Sequence, residues 1–392
     1  MTDATVTGAT DAVGDDDGPV LPRYGSASLA DLLPAVAARA GVPGCADPLG
    51  LPEADRWVVL LVDGLGDRLL AEYADEAPYL ASLQGARQPL TAGVPSTTAT
   101  SITSVGTGLA PGQHGVTGYT SRIPGTLRLL NALTWDGSVD PGTWQPHPSV
   151  FTMMMAAGVE ATVVSRGSFQ GSGLTQVSQR GAAYVASDTP GDRADDTADV
   201  LDHAARAGRR SVVYTYESTL DHVGHEAGCR SADWREVLRS VDAEALSLRA
   251  GLPAGTGLVV TGDHGMVDVP DHDRLDADGD PELTAGVVLL GGEARFRQLW
   301  TAAGATDEVA ERWRAHCAGR AWVATRAEAE AAGWFGDVAD LVRPRFGDVL
   351  VAARGTFAVL ASRQFPVETR MRGFHGSLTA DEMYVPLLVD VV

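Results

Sequence analysis

The sequence predicts an α/β protein: a mostly parallel central sheet flanked by helices, with a small inserted cap. Three observations carry this expectation. Short apolar runs that do not alternate with polar residues recur along the chain, as strands buried on both faces require. Helical spacing fills several stretches between them, the pattern of a parallel sheet covered on both sides. Polar residues, notably Asp63, Asp221 and Asp263, stand just past the expected strand ends, where open α/β sheets bind ligands.

The elements follow in order. Residues 1–22 begin small, polar and acidic (Asp15, Asp16, Asp17) and lack the basic start and apolar stretch of a secretory signal, so they are expected to be a disordered acidic tail on a cytoplasmic protein. Residues 28–40 carry Leu29, Leu32, Leu33 and Val36 at helical spacing and stop at Gly41. Buried strands are expected at 57–62, ending at Asp63, at 159–164, at 211–216 and at 257–261, running to Asp263; 348–352 and 385–389 are later candidates. Helices are expected at 195–207 and 233–249. Residues 271–345 differ: a strand-like run at 287–290 and helical stretches at 306–317 and 326–332 are rich in Glu, Arg and Ala. They are read as the inserted cap, and 23–270 with 346–392 as the catalytic core.

Composition excludes several functions. The 392 residues are 44% hydrophobic, enough for a large core. No apolar run reaches membrane-spanning length, so no membrane partner is expected. A formal charge of −21 disfavours binding to a nucleic acid duplex. The chain has no lysine, which removes a P-loop lysine, a Schiff base and a pyridoxal site. Cys45, Cys229 and Cys317 are odd in number and far apart, against a disulfide framework or thiolate zinc site.

The chemistry concentrates in five places: Asp63-Gly64-Leu65-Gly66 after the first strand; Pro95-Ser96-Thr97-Thr98-Ala99-Thr100-Ser101, running to Thr107-Gly108; Asp221-His222-Val223-Gly224-His225; Asp263-His264-Gly265; and Gly373-Phe374-His375-Gly376. Three Asp and three His form a nitrogen and oxygen donor set that suits zinc above all, with manganese or iron as alternatives. Six ligands exceed what one catalytic tetrahedral ion takes while keeping an open position. They divide between two divalent ions, which in such sites sit about 3.5–4 Å apart and clamp the attacking and leaving oxygens. Thr98 falls at an expected helix N-terminus after Pro95, where anions are favoured. Its hydroxyl is a poor nucleophile until a metal lowers its pKa. Thr97 is the rival nucleophile, since the helix-start reasoning does not separate neighbours.

Together these segments resemble the alkaline phosphatase superfamily, and most of all its nucleotide pyrophosphatase/phosphodiesterase branch, from about Trp57 to the C-terminus without the insertion. The branch's nucleophile motif, a Pro, a Thr three residues later and Thr-Gly nine residues after that, is matched by Pro95, Thr98 and Thr107-Gly108. The resemblance implies an alkaline phosphatase-like fold, one ion on Asp221, His225 and His375, and the other on Asp63, Asp263 and His264 with Thr98 bridging toward it. It implies hydrolysis of a small-molecule phosphodiester or pyrophosphate through a phospho-threonine intermediate. Ser101 stands where the branch usually has an Asn that binds a phosphoryl oxygen, and the resemblance implies that it binds substrate there with one donor in place of two; Ala99 stands where an aromatic residue often stacks on a nucleobase.

A phosphomonoesterase and a phosphonate hydrolase are rivals on the same metals, and a non-catalytic metal- or phosphate-binding protein is the alternative of another class. A sulfatase lacks its Cys motif here, and a cofactor-independent phosphoglycerate mutase lacks its lysine. Outside the ligand set, His114 is read as a structural loop residue and His222 as pointing elsewhere. Met153, Met154 and Met155 are read as core filling, and Asp271, Asp273, Asp276, Asp278 and Asp280 as a solvated acidic loop. Gly64-Leu65-Gly66 lacks the third glycine of a dinucleotide fingerprint.

Overall fold

A computed structural model describes residues 18–392. Most of the expected tail, residues 1–17, lies outside the described residues. Residues 18–22 do not belong to it: they lie along the core, with the Val20 N–H donating to Leu378 O at 2.9 Å.

The chain runs through α1 (Leu32–Arg39), β1 (Arg56–Val62), α2 (Thr98–Thr107), β2 (Glu160–Ser165), β3 (Ala183–Ala186), α3 (Pro190–Arg206), β4 (Ser211–Glu217), α4 (Thr219–Ala227), α5 (Ala232–Gly251) and β5 (Thr256–Gly262). It then enters a second region, β6 (Val287–Glu293), β7 (Phe296–Thr301), α6 (Thr306–His316), β8 (Ala321–Thr325) and β9 (Val349–Ala353), and returns as β10 (Leu388–Val391). The central sheet has the order β10-β5-β1-β4-β2-β3, parallel except for β10, which runs against β5.

β1 shows why the apolar runs do not alternate. Trp57, Val59 and Leu61 enter the core on one face of the sheet, while Val58, Leu60 and Val62 enter the core on the other. Both faces are dry, so every position must be apolar. Each such side chain contributes about 1.5–3 kcal/mol on burial. The helices begin where capping chemistry allows. The Thr189 side chain accepts from the Asp192 N–H ahead of Pro190, and Ser231 accepts from Trp234 N–H at the start of α5. Strand β3 escaped the sequence reading because it is an edge strand with half-exposed side chains and no strong apolar run.

The second region is a four-stranded antiparallel sheet, order β6-β7-β9-β8. Its own core joins Leu290, Leu299, Val349 and Val351 to Val309 and Trp313 of α6. The boundary expected at residue 345 therefore cuts this sheet: the run near 348–352 is β9 and pairs with β7 and β8, not with the central sheet. The expected strand at 385–389 is also divided, into Tyr384–Val385 and β10, because Pro386 between them cannot donate to a ladder. β7 is buried along nearly its whole length although it reads Phe-Arg-Gln-Leu-Trp-Thr. Arg297 is paired with Glu368 and donates its Nε–H to Val359 O at 2.8 Å, and Gln298 donates to Thr117 O at 2.6 Å, so neither polar side chain is buried without partners.

One buried pair fastens this sheet to the central one. Arg295, at the β6–β7 turn, grips Glu382 in bidentate fashion (2.9 and 2.6 Å), and both side chains are 0% exposed. Glu382 also accepts the Ser377 N–H at 2.9 Å, and its carbonyl accepts the Gly265 N–H at 2.9 Å. Removing one charge from such a pair leaves the other stranded. We expect Glu382→Gln to lower unfolding free energy by about 3 kcal/mol or more, measured by urea denaturation; an unchanged midpoint would show that the pair holds nothing together.

Candidate active site

Strand register brings the carboxylates to one level. Val62 of β1 sits opposite Glu217 of β4 and Gly262 of β5, so Asp63 and Asp263 leave adjacent strands side by side. Gly64 then turns away at φ +77°, a left-handed conformation that L side chains avoid, and its N–H donates to Asp263 Oδ1 at 3.0 Å. A Cβ on Gly265 would lie 1.9 Å from Asp381 O, so only glycine lets this loop close after His264.

Asp221 and His225 lie four residues apart on α4 and therefore share a face; His225 Nε2 is 3.3 Å from Asp221 Oδ2. The start of α4 is held by Glu217, whose carboxylate accepts the Thr219 N–H at 2.5 Å. Buried Arg193 of α3 pairs with Glu217 and holds Glu244 of α5 at 2.9 and 3.0 Å. Burial pushes the Glu244 carboxyl up to about 6.

Each of the three histidines places Nδ1 against a backbone carbonyl: His225 on Gly373 O at 2.8 Å, His264 on Gly265 O at 3.1 Å and His375 on Ser96 O at 3.0 Å. A carbonyl only accepts, so Nδ1 carries the proton and Nε2 presents a lone pair. The Nε2 of His264 lies 3.4 Å from Asp63 Oδ1 and 3.5 Å from Asp263 Oδ2, and that of His375 lies 3.8 Å from Asp221 Oδ1. Burial holds His375 well below the ordinary imidazole value, with neighbouring His264 adding to it.

Two groups of donors in this cluster are tight enough to hold an ion, Asp63 with Asp263 and His264, and Asp221 with His264 and His375. His264 stands within reach of both, and His225 joins through Asp221. The residues fit a divalent pair on grounds of their own. Asp221 Oδ1 and Asp263 Oδ2 are buried without a hydrogen-bond partner. Asp63 is raised well above the usual carboxylate range, first by burial and then by the charges of Asp221 and Asp263. Such crowding needs a cation.

Thr98 opens α2, and its Oγ1 lies 3.2 Å from His264 Nε2 and 3.4 Å from Asp63 Oδ1. Thr97 caps the helix in extended conformation and its side chain turns to Glu293, so the two threonines part ways here. Ser101 corrects an expectation. It is buried and gives its single hydroxyl proton to Asp263 O at 2.7 Å, so it has no donor left for a phosphoryl oxygen. It ties the nucleophile helix to the end of β5 instead.

The type I phosphodiesterase / nucleotide pyrophosphatase family model matches residues 57–378, the span that holds every one of these side chains. The chain belongs to this family. Its members are hydrolases of phosphoric esters that work at a metal site. Among solved structures, murine ectonucleotide pyrophosphatase/phosphodiesterase 5 is similar at a TM-score of 0.66 and 18% identity, covering 85% of this chain and 87% of its own. The human protein is similar at 0.63 and 15%, covering 85% and 87%. Phosphonoacetate hydrolase from Sinorhizobium meliloti 1021 is similar at 0.65 and 18%, covering 86% and 91%. These likenesses concern the fold. No curated protein sequence matches the chain.

Two residues at this phosphodiesterase-family site were not expected. Tyr216 of β4 donates its hydroxyl to Asp63 Oδ2. Its signal was its place at the end of a strand beside two others that end in aspartates. Glu293 ends β6, with Oε1 buried and unpartnered and Oε2 3.8 Å from His375 Nδ1; burial pushes it up to about 8. It was missed because the strand-like run expected there, 287–290, stops short of it. Of the remaining side chains, His114 and His222 behave as read. His114 is buried between Ser104 Oγ (3.0 Å) and the Val116 N–H (3.1 Å), and burial lowers it to about 3. His222 points outward toward Glu226 at 3.6 Å. Asp276 and Asp278 are not simply solvated: they brace Ser362, Arg363 and Gln364. Met154 fills core, but Met155 is half exposed, contrary to expectation. The three cysteines are free. Among the described residues, no helix is long and apolar enough to cross a membrane.

Asp263→Ala is expected to remove one ion's worth of metal by elemental analysis; undiminished content would refute its place as a ligand. Tyr216→Phe deletes only the hydroxyl that orients Asp63, and we expect metal affinity to fall about 10–100-fold, read by competition with a chelator.

Proposed function

We propose that this chain cleaves phosphodiester or pyrophosphate bonds using Thr98 as a covalent nucleophile on two divalent ions, with zinc the best match to a nitrogen and oxygen donor set. The observation that carries this reading is the Thr98 hydroxyl within 3.4 Å of two of the candidate ligands, at a helix N-terminus. Asp63, Asp263 and His264 would hold one ion, and Asp221, His225 and His375 the other. Bound there, the ions would supply nucleophile activation and neutralisation of the phosphoryl and leaving oxygens.

The chain's own part is positioning. The first N–H groups of α2 have no partner within the helix and point toward the incoming anion. Thr98 Oγ1 forms a bond to phosphorus as the bond to the leaving oxygen breaks, and its proton passes to solvent while the leaving group takes one up. Water then attacks the phospho-threonine, returning Thr98 as the hydroxyl and releasing the phosphoryl product. The murine relative has been captured with AMP as an inactive threonine-to-alanine variant, which supports a threonine in this role.

Diester chemistry is favoured over monoester hydrolysis by the lining of the cavity at the site. Among the described residues, none that lines it is an arginine, so the second negative charge of a monoester finds no counter-ion from the chain. A binding protein without turnover would have no need of the Thr98 hydroxyl among the ligands. Thr98→Ala is expected to lower turnover of bis(p-nitrophenyl) phosphate by about a thousandfold or more, with circular dichroism and metal content retained. Activity surviving in a folded, loaded variant would rule out the covalent route.

A further inference from the structure

The cavity beyond Thr98 holds about 750 Å³, room for more than a phosphoryl group. We propose that its outer part takes an uncharged organic substituent of the phosphodiester and discriminates against a substituent carrying a second anionic group. This rests on the phosphodiesterase reading and adds a substrate class to it.

Charge is the first ground. Among the described residues lining the cavity there is no arginine, and the chain has no lysine. The charged side chains that do line it are Asp63, Asp221, Glu293 and Glu368, with His225 and His375 of the ligand cluster and His222, which faces Glu226. Asp63 and Asp221 would be engaged by the ions and Glu368 is paired with Arg297, so a carboxylate or second phosphate on the substrate would find no unpaired cation supplied by the wall.

The neutral donors are the second ground, and they are independent of the first. The wall carries several hydroxyls, and four of them donate inward. Ser172 donates to Thr175 Oγ1 (3.0 Å), Thr175 to Phe169 O (2.7 Å), Ser178 to Leu174 O (2.7 Å) and Tyr184 to Arg166 O (2.7 Å). Tyr216 is committed to Asp63. An anion placed against this wall would lose its water and gain few hydrogen bonds in return, which is the costly case.

The third ground is the surface the wall offers instead. Phe169, Leu174 and Phe365 line it, Phe169 set edge-on to Tyr216 with centroids 6.0 Å apart. Leu133 and Val367, 50% and 71% exposed, also line it and are among the large apolar side chains most open to solvent. Val367 and Phe365 come from the segment after β9, so this part of the wall lies outside the central sheet.

A matched pair of substrates tests this with the full, metal-reconstituted chain: 4-nitrophenyl phenyl phosphate and its analogue with a para-carboxylate on the phenyl ring. The leaving group is the same, so only the substituent's charge differs. We expect kcat/KM for the carboxylate to be lower by about tenfold or more. Leu133→Arg, at a half-exposed position that tolerates a long polar side chain, is expected to raise the carboxylate-to-neutral ratio by about fivefold. Equal rates in the wild type, or a ratio unmoved by Leu133→Arg in a folded variant, would overturn the proposal while leaving the phosphodiesterase reading intact. Turnover of neither ester would sink that reading itself.

Discussion

Three aspartate carboxylates held out of water at one end of a sheet set the terms for everything around them. Asp63, Asp221 and Asp263 are buried close together; burial raises Asp63 and Asp263, and the charge of Asp221 makes both harder to keep ionised. The surroundings answer with donors: Tyr216 on Asp63, and the Gly64 and His264 N–H groups on Asp263. Even so, two carboxylate oxygens remain without a partner. Three imidazoles, each locked by a backbone carbonyl so that Nε2 is bare, stand beside them. Lone pairs facing buried carboxylates are tolerable only around cations, and the arrangement is built for them.

The same electrostatic demand explains how the two sheets are joined. Arg295 leaves the second sheet to meet Glu382, and Glu382 in turn fixes the loops that follow His264 and His375. Arg297 on the next strand meets Glu368 in the cavity wall. Buried arginines are costly unless paired in this way. The second sheet is thus braced against the ligand loops, and Glu293 at the end of β6 reaches His375. The insertion helps build the site.

The parallel sheet could be recognised in the chain because strands buried on both faces carry unbroken apolar runs, Trp57 to Val62, Val212 to Tyr214 and Leu258 to Val260, with no charge inside them. The ligand residues could be found because adjacent coordinating groups after such strands have few other uses, and the spacing of Asp221 and His225 places both on one helical face. Ser101 was misassigned because its position in the helix resembles that of a substrate-binding residue, while its actual partner, Asp263 O, lies 162 residues away in sequence. β7 was passed over because arginine and glutamine look like surface until their partners are known.

The sequence by itself determined the α/β class and picked out the threonines after Pro95 and six Asp and His residues as candidates, since these depend on local pattern and on residue chemistry. Only the tertiary structure decided that Thr98 rather than Thr97 faces the cluster, that Tyr216 and Glu293 belong to it, and that four hydroxyls of the cavity wall donate inward. Those facts depend on which side chains meet across folded distance, and a hydrogen bond between residues far apart in the chain leaves no mark on the order of residues around either one.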